Sequence, residues 1–99
     1  MPGVEWVACK NYFNDSCAYC GLHIDEHFEE FNQDLHRDHV NHEGANDLSN
    51  CIPACKRCNG SKWKFELVEW YSEKNENYSI ERLGRIHKWL NEDYLLVKS

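Results

Sequence analysis

The chain has 99 residues, of which 41 % are apolar and 13 % aromatic, and its formal net charge is −6. This composition argues against a disordered chain and a uniformly basic nucleic-acid coat. The length suits one small domain, residues 1–99, which we expect to gain stability from a metal ion or from oligomerisation. No segment approaches the roughly 20 apolar residues of a membrane span. The N-terminus lacks the pattern of a signal peptide, so we expect a cytoplasmic protein without membrane association.

The first third of the chain predicts a short helix over residues 4–14, followed by a tight turn. This turn is the sequence CAYCGL at residues 17–22, in which Gly21 closes the loop between two cysteines. Residues 25–35 are acidic, with Phe28, Phe31 and Leu35 at near-helical spacing, and this pattern leaves helix and loop both open.

The middle of the chain predicts a β-hairpin. HRDHV at residues 36–40 has the character of a strand, HEGAND at residues 42–47 is turn chemistry, and LSNCIPAC at residues 48–55 is typical of a returning strand. From Lys56 onward the spacing of Trp63, Leu67, Trp70 and Tyr71 predicts a helix. Ser79 is the expected N-cap of a last helix.

Two identical pairs, Cys17-x-x-Cys20 and Cys55-x-x-Cys58, indicate a structural zinc site with four thiolate ligands. Because such a site is filled by protein, its zinc supports the fold and does no chemistry. Disulfides are disfavoured in a reducing compartment. A Cys2His2 finger would need two of His36, His39 and His42, whose spacing is shorter than usual, and Cys9 and Cys51 are expected to be buried as small apolar residues.

The charge is polarised along the sequence. Residues 21–47 contain eight acidic residues and one basic residue, whereas residues 51–65 contain four basic residues and no acidic one. The basic residues Lys56, Arg57, Lys62 and Lys64 fit either a solvated helix face or contacts with a phosphate backbone. We expect phosphate contacts, and therefore DNA as the partner.

Asp38, His39 and Asn59 carry the catalytic hypothesis. Adjacent residues on a strand point to opposite faces unless a bulge or bend turns them together, so their convergence requires such a bend. Carboxylate and amide oxygens suit Mg²⁺ or Mn²⁺, and a histidine is a common general base. Together with the basic run, these groups suit phosphodiester hydrolysis.

The run CAYC…RDHVNHEGANDLSNCIPACKRCNGSK resembles the HNH endonuclease family. The family histidine falls on His39 after Asp38, the middle asparagine on Asn50, and the third position on Asn59, which gives an H-N-N variant. The loop from Val40 to Ser49 is short, and VNH replaces the usual proline-containing motif, a spacing also similar to the phage recombination endonuclease VII group.

The resemblance implies an α+β fold, a small ββα-metal, treble-clef-like domain with a structural zinc and flanking helices. Its core would span about residues 17–64, with a helical extension over about 65–99. It also implies a metal-dependent DNA endonuclease that leaves 5′-phosphate and 3′-hydroxyl ends. His39 would be the general base, Asp38 and Asn59 would bind the catalytic ion, and Asn50 would hold the hairpin loop.

Two alternatives remain open. The chain fits a non-catalytic zinc module that binds nucleic acid or protein, and it fits the nuclease subunit of a larger phage or restriction assembly. A homodimer is the simple route to cutting both strands, since one site cuts one strand.

Overall fold

A computed structural model describes residues 1–98. It contains five α-helices and two strands, together with two short 3₁₀ helices at Leu48–Asn50 and Asp93–Leu96. In chain order the larger elements are α1 (Gly3–Tyr12), α2 (Ile24–Phe31), β1 (His36–His39), β2 (Cys51–Ala54), α3 (Lys56–Lys62), α4 (Leu67–Trp70) and α5 (Ile80–Asn91). No helix within residues 1–98 combines the length and apolar character that a bilayer span needs.

The expected hairpin forms the only sheet of the described chain. β1 and β2 are antiparallel, with Asp38 opposite Ile52 and His39 opposite Cys51. Beyond the sheet, the Val40 amide donates to the Asn50 carbonyl at 3.0 Å, which continues the pairing into the loop. Side chains alternate between the faces of a strand, so Asp38 and His39 project to opposite sides.

The core lies where α1, β2 and α5 meet. Trp89 of α5 is completely buried, and its indole N–H donates to the Cys51 carbonyl at 3.0 Å. The rings of Tyr12 and Phe13 lie 4.8 and 6.0 Å from that indole. These contacts bury the side of β2 that carries Cys51, so the hairpin rests on an aromatic cluster.

The predicted helix after Lys56 is shorter than the apolar spacing indicates. α3 ends at Lys62, because Trp63 takes a positive φ of 46° that no right-handed helix accommodates. The Phe65 amide then donates to the Lys62 carbonyl at 2.9 Å, and this turn leads into the single helical turn of α4. Trp63 is therefore 61 % exposed and lies outside the core.

The last helix begins as predicted. The Ser79 hydroxyl oxygen accepts a hydrogen bond from the Arg82 amide at 3.3 Å and caps α5. Upstream, the buried Tyr71 hydroxyl donates to the Tyr19 carbonyl at 2.8 Å. This bond ties the segment between α4 and α5 to the cysteine turn.

Candidate active site and metal centre

The four predicted cysteines converge on one point. The sulfur atoms of Cys17, Cys20, Cys55 and Cys58 all lie within 4.8 Å of one another. Three of these side chains are buried, and Cys20 is half-buried. The other two cysteines, Cys9 and Cys51, are buried outside the cluster, with the Cys9 thiol donating to the Cys51 carbonyl.

The cluster fits a zinc ion in size and chemistry. In a tetrahedral site with Zn–S bonds of about 2.3 Å, neighbouring sulfurs lie about 3.8 Å apart. The sulfurs of Cys20 and Cys55 are 3.8 Å apart. The donor set is four thiolates, the set typical of closed structural zinc sites, so the fourth coordination position is occupied by protein.

The closely spaced sulfurs of the cluster also shift one another's pKa. Hydrogen bonds within the cluster raise the pKa of the Cys17 and Cys58 thiols. The same bonds lower the pKa of Cys20 to about 7 and hold that of Cys55 below its ordinary value. Four thiolates this close together repel one another, and a divalent ion would compensate their charge.

The cluster joins the cysteine turn to the start of α3. Cys55 is the N-cap of α3, and its sulfur accepts from the Cys58 amide at 3.3 Å. On the other side, the Gly21 amide donates to the Cys17 carbonyl at 2.9 Å. Gly21 has a φ of +81°, a conformation that favours glycine.

His27 is a structural residue that the sequence does not reveal. It is completely buried, its Nε2 accepts from the Lys56 amide at 3.0 Å, and its Nδ1 donates to the Gln33 carbonyl at 2.9 Å. It satisfies an amide at the first residue of α3. Because its partners are distant in sequence, no local pattern predicts this role.

Asp38 is buried with two polar partners. It is 3 % exposed, Oδ2 accepts a short hydrogen bond from the Tyr19 hydroxyl, and the Lys62 ammonium lies 3.7 Å from the same oxygen. Burial raises the pKa of the Asp38 carboxyl, while the Tyr19 hydrogen bond and the Lys62 charge oppose that rise. Oδ1 takes part in neither contact.

Lys62 does not lie on the basic surface where the sequence places it. Its side chain has no exposure, and its ammonium donates to the carbonyls of Val40 at 2.8 Å and His39 at 3.4 Å. A buried ammonium with these partners cannot reach a DNA phosphate, so Lys62 leaves the set of expected DNA contacts. No local pattern in the sequence indicates that the Lys62 side chain packs against the end of β1.

The remaining basic side chains are exposed. Arg57 forms a bidentate ion pair with Glu30 and lies 5.2 Å from the Phe31 ring. The Lys56 ammonium is 5.7 Å from the same ring, and the Lys64 ammonium is 4.4 Å from the Trp63 ring. Within residues 1–98, Lys56 and Lys64 have no acidic partner at ion-pair distance, and both side chains are exposed.

His39 is half-buried and contacts the hairpin loop. Its Nε2 lies 2.6 Å from Asn46 Oδ1, so the ring donates from Nε2 when the amide oxygen accepts. In that tautomer Nδ1 carries the lone pair and no proton. The imidazole is therefore oriented as a proton acceptor at Nδ1.

Asn50 fastens the same loop. Its Oδ1 accepts from the Asn41 amide, and its Nδ2 donates to the carbonyls of Asn41 and Ala45, each at 2.9 Å. A Cβ at Gly44 would lie 2.9 Å from Asn50 Nδ2, so only glycine fits there without a shift. Asn50 thus connects both ends of the loop that carries Asn46, the contact of His39.

Asn59 contacts His36, which is not one of the three residues of the catalytic hypothesis. Its Nδ2 lies 3.1 Å from His36 Nδ1, and His36 Nε2 lies 2.5 Å from Gln33 Oε1. With Gln33 accepting from Nε2, the ring accepts at Nδ1 from the amide of Asn59. Asn59 Oδ1 is then the atom left for another partner.

The structure thus groups the predicted residues into neighbouring sets. Asp38 contacts Lys62, Asn59 contacts His36, and His39 contacts Asn46 of the hairpin loop. Among residues 1–98 no hydrogen bond or ion pair links Asp38, His39 and Asn59 to one another. Alternation along β1 explains the separation of Asp38 from His39, since neither a bulge nor a break interrupts the pairing of these residues.

Comparisons with known proteins bear on the segment that carries these groups. Residues 17–65 match the family model described as HNH endonuclease. The chain is 54 % identical over 96 residues to the "SPbeta prophage-derived putative HNH endonuclease YoqL" of Bacillus subtilis (strain 168). That alignment covers 92 % of this chain and 42 % of the relative, so the chain spans less than half of the relative's length. No solved structure matches the chain significantly.

Proposed function

Through residues 17–65 the chain belongs to the HNH endonuclease family, and on that basis we propose that it is a metal-dependent DNA endonuclease. The observation that carries the proposal is that the matched segment contains the cysteine cluster, the hairpin and α3 together. A phosphodiester-cutting site needs a proton acceptor and oxygen ligands for a divalent ion. This segment supplies both.

In this proposal His39 is the general base, and DNA binding bends the end of β1 so that His39 and Asp38 face one phosphate, because their side chains otherwise project to opposite sides of the strand. In the neutral ring that donates from Nε2 to Asn46, Nδ1 carries the lone pair, and a water molecule positioned there would lose its proton to Nδ1 as its oxygen attacks phosphorus. The bond from phosphorus to the 3′ oxygen then breaks. The departing 3′ oxygen takes a proton from solvent, and the products carry a 5′ phosphate and a 3′ hydroxyl.

Asp38 and Asn59 are the proposed ligands of a Mg²⁺ or Mn²⁺ ion. Each has one oxygen outside the contacts described above, Oδ1 of Asp38 and Oδ1 of Asn59. Both are hard oxygen donors of the kind these ions prefer. Bound there, the ion would stabilise negative charge on the phosphate and on the departing oxygen.

The second proposed metal is structural zinc on Cys17, Cys20, Cys55 and Cys58. This zinc requires reduced thiols, as expected in the cytoplasm. Lys56, Arg57 and Lys64 are the proposed contacts to the DNA backbone, because their charged groups are exposed along one short segment. Arg57 contributes least among them, since Glu30 already neutralises it.

The test is nicking of supercoiled plasmid DNA in buffer with and without Mg²⁺ or Mn²⁺. We expect His39→Ala to lower the rate by about 10²- to 10⁴-fold, the usual contribution of a general base, with zinc content and melting temperature unchanged. His87→Ala, which removes an exposed histidine on α5, is the matched control and keeps wild-type activity. Wild-type nicking by His39→Ala would refute the assignment of the base.

A further inference from the structure

Two exposed aromatic rings follow α3 directly. Trp63 is 61 % and Phe65 52 % exposed, and their ring centroids are 6.3 Å apart in an edge-to-face arrangement. The Lys64 ammonium lies 4.4 Å from the Trp63 centroid. The Trp63–Phe65 pair is therefore an apolar surface that carries a cation.

The backbone holds this pair away from the core. Trp63 has a φ of 46° and a ψ of −118°, a conformation that a bulky residue rarely adopts. Its amide donates to the Asn59 carbonyl at 3.0 Å, and the Phe65 amide donates to the Lys62 carbonyl at 2.9 Å. The turn is thus closed by hydrogen bonds, and it presents the indole to solvent.

The same turn is anchored next to the proposed active site. Lys62, the residue before Trp63, donates to the carbonyls of His39 and Val40 at the end of β1. Asn59, a proposed ligand of the catalytic ion, accepts from the Trp63 amide. The turn that carries the indole is therefore joined directly to α3 and to the end of β1, the two elements that carry the proposed active-site residues.

Charge and area favour a nucleic acid over a protein at this surface. Lys56 and Lys64 expose their charges here, and residues 51–65 contain no acidic side chain, which suits a polyanion. At these exposures the two aromatic side chains offer roughly 170–280 Å², well short of the roughly 800 Å² per partner in a stable protein interface. Aromatic rings beside basic groups are the combination on which unpaired bases stack.

We propose that the Trp63–Phe65 pair is a stacking site for an unpaired nucleobase of the DNA strand that enters the active site. The enzyme would then bind DNA with a single-stranded segment better than fully paired DNA. The proposal rests on the proposed nuclease function for its substrate class, but it concerns binding and is tested by binding.

The test measures fluorescence anisotropy of labelled oligonucleotides with the His39→Ala protein, zinc-loaded and without added Mg²⁺. The probes are a blunt duplex, the same duplex with a single-stranded overhang, and that overhang with abasic sites in place of its bases. We expect the intact overhang to bind more tightly than the blunt duplex, and the abasic overhang to lose that advantage. The abasic probe keeps every phosphate, so it separates stacking from charge.

The decisive variant is Trp63→Gly in the same background. Glycine adopts a φ of 46° without strain, so we expect the melting temperature to hold while affinity for the intact overhang falls roughly 5- to 150-fold. Phe28→Ala removes a ring of similar exposure, 54 %, from α2 and is the matched control with unchanged binding. The advantage of the overhang over the blunt duplex should disappear in Trp63→Gly alone.

Three results would overturn the proposal. They are unchanged overhang affinity in Trp63→Gly, equal affinity for intact and abasic overhangs, and a dimer of the parent protein in gel filtration that becomes monomeric in Trp63→Gly. The last result would assign the surface to a second copy of the chain. Overhang binding that depends on Trp63, in a protein whose wild type fails to nick plasmid, would keep the stacking site and remove the nuclease function.

Discussion

Removing the buried ammonium of Lys62 is the sharpest test of how the hairpin is held to α3. In Lys62→Met the side chain keeps its length and apolar contacts but loses three interactions. These are the donations to the Val40 and His39 carbonyls and the 3.7 Å contact with Asp38. Because Lys62 has no exposure and Asp38 only 3 %, water replaces none of them.

The size of the expected stability loss follows from the groups that lose Lys62 as a partner. Removing one partner of a buried ion pair costs about 3–5 kcal/mol, since the other charge is left uncompensated, and the two carbonyls lose a donor as well. Burial already raises the pKa of Asp38, so protonation of the carboxyl relieves part of this cost. We therefore expect a loss of about 3–5 kcal/mol in the free energy of unfolding, including the carbonyl contribution. For a domain of about 100 residues this lowers the melting temperature by roughly 12–40 °C.

The assay is urea unfolding of the zinc-loaded protein, followed by tryptophan fluorescence. Lys64→Met is the matched control, because Lys64 is exposed and loses only its contact with Trp63, worth about 0.5–1 kcal/mol. Adding Asp38→Asn to Lys62→Met should recover part of the loss, since no unpaired charge is then buried. If Lys62→Met costs no more than Lys64→Met, the buried pair is not formed, and Lys62 returns to the set of DNA contacts.

Two further predictions concern the metal and the loop. Removing zinc with a chelator, or the Cys58→Ser substitution, should unfold the chain, because tetrathiolate zinc sites contribute on the order of 10 kcal/mol. Metal analysis should find one zinc per chain. A metal-free protein with an unchanged circular dichroism spectrum would contradict this prediction. Asn50→Asp should lower the free energy of unfolding by about 2 kcal/mol or more, because a carboxylate oxygen would face the Asn41 and Ala45 carbonyls without a donor. Urea unfolding measures this loss. Wild-type stability of the variant would count against the role assigned to Asn50.

Local signals account for the parts of the fold that the sequence predicts. A CxxC turn, a run of turn residues between two strand-like segments and a serine before an apolar helix each act within a few residues. The structure confirms the predicted hairpin, cysteine cluster and Ser79 cap. These features could be predicted because the residues that determine them are close in sequence or form a repeated motif. The spacing of apolar residues also predicted a helix that includes Trp63. The positive φ of Trp63 ends that helix instead.

The partners of buried polar side chains are the part that the sequence does not predict. Asp38 meets Tyr19 from 19 residues earlier, and His27 meets the amide of Lys56 from 29 residues later. Lys62 reads as one more surface base in a basic run, whereas its ammonium lies under β1. Such contacts depend on how the elements pack, and packing is not encoded in local spacing.

The position of Asn59 shows what this packing achieves. α3 is only seven residues long, too short to be stable as an isolated helix, and it is fastened at both ends. Cys55 and Cys58 hold its start to the cysteine turn, and Lys62 holds its end to β1. Asn59 lies between these two attachments and is fixed further by His36 of β1. The proposed role of Asn59 as a metal ligand needs such restraints, because a site that is 1 Å too loose loses most of its effect. The cysteine cluster and the buried lysine therefore act on the same element from opposite ends, and loss of either one should loosen Asn59 relative to the strand that carries Asp38 and His39.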